Sequence, residues 1–234
     1  MHSTNWTDNS EHIVLYLDIM GFKERVSRTA VGELKENLLA FKTKNVKLKP
    51  LLATNVGGKQ LDMMKMTQFS DSIVVISKGK SKDDLNKITK AAVILMQTAL
   101  ETGFALRGAM ALGNMVYDEE NQLFFGKALV DAYLLEEELA YYGVVFHETM
   151  EKLVREAIQN PHGTYYPIKD EEVPLKKGRS QHYHVAWYEM QENLSKGDIR
   201  DEAKQWLRTL RESVSGNPRV YLDNTLHIVD NGVH

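Results

Sequence analysis

Two aspartates stand at positions where a chain changes direction. Asp18 follows the apolar run Ile13-Val14-Leu15-Tyr16-Leu17, and Asp71 lies in the break Ser70-Asp71 between Met63–Phe69 and Ile73–Ile76. Two carboxylates joined by backbone carbonyls make a ligand set for Mg²⁺ or Mn²⁺, hard cations that take oxygen donors and bind substrate phosphates. The turn Ile19–Lys23 opens a helical pattern, so its amide N–H groups can cradle a phosphate. Local roles fit the same residues: Asp caps helices and hydrogen-bonds its own turn. His182 and His184 fall on one face of a strand as a second candidate metal pair, without a third ligand nearby in sequence. His12 and His147 read as surface or capping residues, Met63, Met64 and Met66 as core filler, and Trp187 and Trp206 as packing.

The elements that must carry Asp18 and Asp71 are legible in the hydrophobic pattern. The run at 13–17 suits a buried strand, 22–47 one or two helices, and Pro50–Lys59 a loop. Met63–Phe69 and Ile73–Ile76 pair as a hairpin. A helix over 82–102 has Ser81 as N-cap and Gly103 as its stop, and a strand covers 104–112. Strand, helix, strand, strand, helix, strand is the βαββαβ order of a ferredoxin-like α+β layer, in which the first and third strands are neighbours and both aspartates meet at one sheet edge. C-terminal α/β additions follow: a hairpin (115–117 with 123–125), a helix at 127–141, a strand at 144–146 and a helix at 147–158. Strands near 164–168 and 183–188, a helix at 198–214 and a last strand near 225–229 complete the pattern.

Composition narrows the classes. The 234 residues fit one domain, read as a polar tail over 1–10 and a single domain over 11–234. Lys+Arg 29 against Asp+Glu 32 gives a net charge of −3, which argues against a nucleic-acid or anionic-membrane binder. The chain has no cysteine, which excludes disulfide frameworks, zinc–thiolate sites and a cysteine nucleophile. The N-terminus lacks a signal pattern, and the apolar runs are far shorter than the ~20 residues a bilayer requires, so the expected location is cytoplasmic.

Four segments carry a resemblance. Leu17-Asp18-Ile19-Met20-Gly21-Phe22, Phe69-Ser70-Asp71-Ser72-Ile73-Val74-Val75, Arg107-Gly108-Ala109-Met110-Ala111-Leu112-Gly113 and the stretch from Phe125 to Glu136 resemble, in order and separation, the signature segments of class III nucleotidyl cyclases. The Ser-Asp hairpin and the Ala132-Tyr133-Leu134-Leu135-Glu136 helix are most similar to the bacterial pyrimidine cyclases of the Pycsar anti-phage system. The resemblance covers residues 10–150 and continues weakly through Asn224-Thr225-Leu226.

The resemblance implies a cyclase that turns UTP, or as second choice CTP, into a 3′,5′-cyclic nucleotide and pyrophosphate. It implies two divalent ions, Mn²⁺ or Mg²⁺, on Asp18, Asp71 and the Ile19 carbonyl, with Met20, Gly21, Phe22 and Lys23 as the triphosphate loop. Arg107 matches an arginine that contacts the terminal phosphates. Lys177, or Lys176, matches a further triphosphate lysine; a solvated charged turn is the plainer reading of that pair. Thr67 and Leu123 stand at the base-facing positions and form no purine-reading pair. Val130 and Leu134 replace the transition-state Asn and Arg of purine cyclases, a loss the pyrimidine cyclases share. A head-to-tail homodimer with composite sites is implied, built on the helix around 129–139 and the hairpin at 115–125. A separate effector that senses the cyclic nucleotide is implied as the downstream partner. A purine cyclase and a catalytically dead nucleotide-binding or dimerisation module are the alternatives.

Overall fold

The structure, a computed structural model, describes residues 6, 9–56, 59–161, 164–191, 197–212 and 214–231. Strand β1 (Ser10–Ile19) is followed by helices α1 (Phe22–Arg28), α2 (Val31–Lys44) and α3 (Lys49–Leu52), then by the small hairpin β2 (Ala53–Val56) and β3 (Lys59–Asp62). Strands β4 (Met64–Phe69) and β5 (Ser72–Ser77), helix α4 (Lys82–Glu101) and strand β6 (Leu106–Asp118) complete a first half. The second half comprises β7 (Leu123–Phe125), α5 (Lys127–Glu138), β8 (Val144–Phe146), α6 (Glu151–Gln159), β9 (Ile168–Leu175), β10 (Gly178–Val185), α7 (Arg200–Glu212) and α8 (Asn217–Asn231).

Among the described residues eight of these strands form one sheet, ordered β4-β5-β1-β6-β8-β10-β9 with β7 paired to β6, and β2 and β3 pair as a separate two-stranded sheet. The run β4-β5-β1-β6 is the ferredoxin-like order, so the fold is α+β as the sequence pattern implies. β8 extends it parallel to β6, and the β9–β10 hairpin forms the far edge.

The strand period of two divides the sheet into unequal faces. Ile13, Leu15, Leu17 and Ile19 of β1 join the main core with Leu85, Ile88, Val93 and Leu95 of α4. Helix α4 starts in a capping box: the Asp84 amide donates to Ser81 Oγ at 3.1 Å and the Ser81 amide to Asp84 Oδ2 at 2.9 Å. It ends before Gly103, whose φ of 78° terminates the helix at no steric cost. The opposite face holds a smaller core of Val14, Ile76, Met115 and Tyr117 beneath Ala128 of α5.

At Gly108 the absence of a side chain is structural. A Cβ there would collide with the Tyr16 carbonyl oxygen and the Leu17 side chain across the β1–β6 ladder. Gly108→Ala is expected to lower stability by about 1–3 kcal/mol, the usual cost of overpacking, measured as a fall in the urea midpoint.

Several expectations need correction. Pro50–Lys59 is not a loop: Pro50 sits in the first turn of α3, where its fixed φ suits a helix start, and the chain then enters the β2–β3 hairpin. The strand expected near 225–229 is the C-terminal half of α8, which buries Leu222, Thr225 and Val229 at helical spacing. The strands expected near 164–168 and 183–188 are β9 and β10, shifted because Lys169 to Glu172 hides an edge strand behind charges that discourage further pairing. His12 is buried, stacked on Trp6 at 5.5 Å and bonded through Nδ1 to the Ser77 carbonyl oxygen at 2.8 Å. Met66 is exposed, whereas Met64 is core. Of the expected tail, residues 1–5, 7 and 8 lie outside the described residues, and Ser10 already belongs to β1.

Candidate active site

The ladders line four strands up in rows. Phe69, Ser72, Asp18 and Arg107 stand opposite one another across β4, β5, β1 and β6, and Thr67, Val74, Tyr16 and Ala109 form the next row on the same face. Asp18 is therefore flanked by Arg107 on one side and the β4–β5 hairpin on the other. The Ile19 amide donates to the Asp71 carbonyl oxygen at 2.9 Å, which ties the hairpin tip to the end of β1. Ser70 adopts a φ of 56°, a left-handed turn conformation that places Asp71 beside Asp18.

The electrostatics record that proximity. Burial, and then the Asp71 carboxylate, push the Asp18 carboxyl from its ordinary 3.8 up to about 6, while Arg107 opposes them. A half-buried Asp18 carboxyl set beside a second carboxylate suits a divalent cation, which relieves both burial and repulsion. Among the described residues no group of three or more His, Asp and Glu side chains could hold a metal ion. At Asp18–Asp71 the further ligands would come from backbone and phosphate oxygens, as is usual for Mg²⁺.

Without metal, this arrangement makes stability depend on pH. Below 3.8 Asp18 is protonated both folded and unfolded; between 3.8 and about 6 the unfolded chain ionises while the folded one holds its proton, so stability falls across that window and levels off above it. Asp18→Asn is expected to raise the melting temperature at pH 7.5 and flatten its fall between pH 3.8 and about 6. Mn²⁺ should raise the melting temperature of the native chain and not of the variant. Calorimetric scans across that range decide it.

The proposed phosphate cradle is narrower than the turn Ile19–Lys23 suggests. The Ile19 and Met20 amides are already bonded, to the Asp71 and Ala105 carbonyl oxygens, each at 2.9 Å. The amides of Gly21, Phe22 and Lys23 at the start of α1 are what remains, with Gly21 at a φ of 70°.

Arg107 is buried and engaged. Its Nε donates to Glu136 Oε1 at 2.5 Å, and Nη1 to the Leu139 carbonyl oxygen at 3.0 Å. Glu136 was missed as a site residue, although its signal was present: Ala128, Ala132 and Glu136 form the buried i, i+4 stripe of α5. Tyr133, on the same helix, meets the Tyr16 ring edge-on at 5.5 Å.

The other expected residues lie around this pair. Thr67 shares its sheet face one row away and is partly buried. Leu123 is exposed on β7, opposite Asp118, on the other side of that hairpin from the packed Phe124–Tyr117 rings. Lys177 is exposed in the β9–β10 turn. Its neighbour Lys176 donates its amide to the Glu138 carbonyl oxygen at 2.8 Å, which ties the β9–β10 turn to the end of α5; burial raises the Glu136 carboxyl, and the Arg107 and, more weakly, Lys176 charges oppose that rise. His147 caps a short turn, accepting from the Thr149 amide, and His184 is buried against Glu171 at 3.4 Å. Val130 and Leu134 are 52% and 54% exposed on the outer side of α5.

No protein-family profile matches the chain, and neither does any curated protein. Solved structures do. One structure of a bacterial light-regulated adenylyl cyclase superposes with a TM-score of 0.50 at 10% identity, over 87% of this chain and 57% of the other. The fold is that of a class III cyclase catalytic domain. A second structure described as a bacterial light-regulated adenylyl cyclase gives 0.49 at 11% identity, covering 87% and 99% of the two chains. The guanylate cyclase domain of RhGC from Catenaria anguillulae, in complex with GTP, also gives 0.49 at 11% identity, over 76% and 96%. Within this cyclase fold, Asp18 and Asp71 lie where β1 ends and the β4–β5 hairpin turns. Among the described residues no helix is long and apolar enough to cross a membrane.

Proposed function

We propose that the chain is a pyrimidine nucleotidyl cyclase that converts UTP to 3′,5′-cyclic UMP and pyrophosphate, the product serving as a second messenger in bacterial anti-phage defence. The observation that carries this reading is the convergence of Asp18 and Asp71 at the end of adjacent strands in a cyclase fold. Asp18, Asp71 and the Ile19 carbonyl would hold Mn²⁺ or Mg²⁺. When bound there, such ions lower the pKa of the ribose 3′-hydroxyl and balance charge on the departing pyrophosphate.

The chain's own groups do the rest. The Gly21–Lys23 amides receive the triphosphate, and Arg107 and the β9–β10 lysines meet its terminal phosphates. The 3′-oxygen attacks the α-phosphorus in line, the bond to the bridging oxygen breaks, and pyrophosphate leaves. Thr67 and Leu123 support a pyrimidine over a purine, because a short hydroxyl and an aliphatic side chain offer no paired readout of a purine edge. The exposed Val130 and Leu134 of α5, with Leu123 and Phe125 of β7, suit a homodimer interface.

The test is incubation with each of the four nucleoside triphosphates and Mn²⁺, with chromatographic resolution of products. Cyclic UMP is expected. Cyclic CMP would move the substrate to CTP, cyclic AMP or GMP would overturn the pyrimidine reading, and no product from any of the four would overturn the cyclase reading.

A further inference from the structure

Arg107 is the cation set against Asp18, and α5 already holds it. Glu136 takes its Nε and the Leu139 carbonyl its Nη1, while the Tyr221 ring lies 5.9 Å from the guanidinium. The two side chains of the ion pair are 8% and 3% exposed. A charge-assisted bond of this length neutralises the charge that an incoming phosphate needs. Glu136 is also an odd occupant of its position. Ala128 and Ala132 line the same buried stripe, and an apolar residue there would pack without the desolvation that a buried carboxylate suffers.

A second cation lies on the same side. Lys176 stands in the β9–β10 turn, its amide bonded at 2.8 Å to the carbonyl oxygen of Glu138, two residues from Glu136 on α5. Phosphate oxygens offer a guanidinium the same paired acceptors as a carboxylate. A partner exchange can therefore occur without leaving a buried charge unpaired: Arg107 passes from Glu136 to the phosphate, and Glu136 passes from Arg107 to Lys176.

We propose that Glu136 is a gate on Arg107, a positioning residue that holds the guanidinium against α5 until the polyphosphate end of the substrate takes it. This rests on the reading of Arg107 as a triphosphate ligand. The gate joins the phosphate site to α5, the helix whose outer side carries Val130 and Leu134.

The probe is magnesium tripolyphosphate, which has no ribose and cannot react. In calorimetric titrations Glu136→Gln is expected to bind it about tenfold or more tightly than the native chain, the scale of one hydrogen bond to a charged group. Lys176→Gln is expected to weaken binding, because the released carboxylate then lacks its second cation. Unchanged or weaker binding by a folded Glu136→Gln protein overturns the gate, and so does the absence of binding by every variant.

Should Glu136→Gln fail to fold, the native chain supplies the measurement. The Arg107 Nε–H resonance, assigned with Arg107→Lys, is expected to be protected from exchange in the free protein and to shift and lose protection at saturating tripolyphosphate. A resonance that does neither overturns the proposal. A chain that releases Arg107 to tripolyphosphate yet cyclises no nucleotide defeats the cyclase reading alone; one that cyclises UTP with Arg107 still locked defeats the gate alone.

Discussion

Alanine at Asp18 or Asp71 is expected to abolish cyclic nucleotide formation, by at least about a thousandfold, the upper range for loss of one electrostatic stabiliser, while leaving the protein folded. Both side chains are only partly buried and neither anchors a core cluster. Asp18 is in fact held in an unfavourable ionisation state, its carboxyl raised to about 6 by burial and by Asp71. Removing it relieves the apo protein rather than straining it. What is lost is the oxygen pair that would bind the cations, and with it both activation of the 3′-hydroxyl and neutralisation of the leaving group. Product yield from UTP with Mn²⁺, read beside circular dichroism and melting temperature, makes the comparison. Near-normal turnover by either variant would remove the metal assignment.

The double variant Val130→Glu with Leu134→Glu is expected to be monomeric and nearly inactive. The two positions lie one helical turn apart on α5, and both are more than half exposed, so charge there costs the isolated chain little. In a closed two-fold contact through this face the same carboxylates would be desolvated without partners, which costs several kcal/mol. Sedimentation velocity and product assays on the same samples separate the outcomes. A variant that stays dimeric and active places the interface elsewhere, and a native chain that is monomeric and active dispenses with the dimer.

The sequence was informative where local chemistry and packing agreed. Strand β1 has a continuous apolar run because both its faces are covered, and α4 announces itself through Ser81, Asp84 and Gly103. The meeting of Asp18 and Asp71 followed from adjacency alone, since β1 and β5 must pair in this order. The misreadings share a cause. Thr225-Leu226-His227-Ile228-Val229 is rich in β-branched residues, yet tertiary packing makes it helical because only the spacing of Leu222, Thr225 and Val229 buries one face. Lys169 to Glu172 belongs to an edge strand, where solubility selects charges that mask strand character. Glu136 was invisible as a partner of Arg107 because 29 residues separate them, and no local pattern reports a contact made through packing of α5 on β6.

The unequal faces of the sheet divide the molecule energetically. On one side β1 and α4 share a large interior, so their amides are expected to exchange with solvent only on global unfolding. On the other, α5 covers the smaller cluster of Val14, Ile76, Met115 and Tyr117 and the Arg107–Glu136 pair, and reaches the main core through Leu135. The α5 amides are expected to exchange through a smaller opening, measurable as lower protection than in β1 and α4. The stability of the domain is kept on the face away from the aspartates. The face that carries them is left free to be rearranged by whatever binds it.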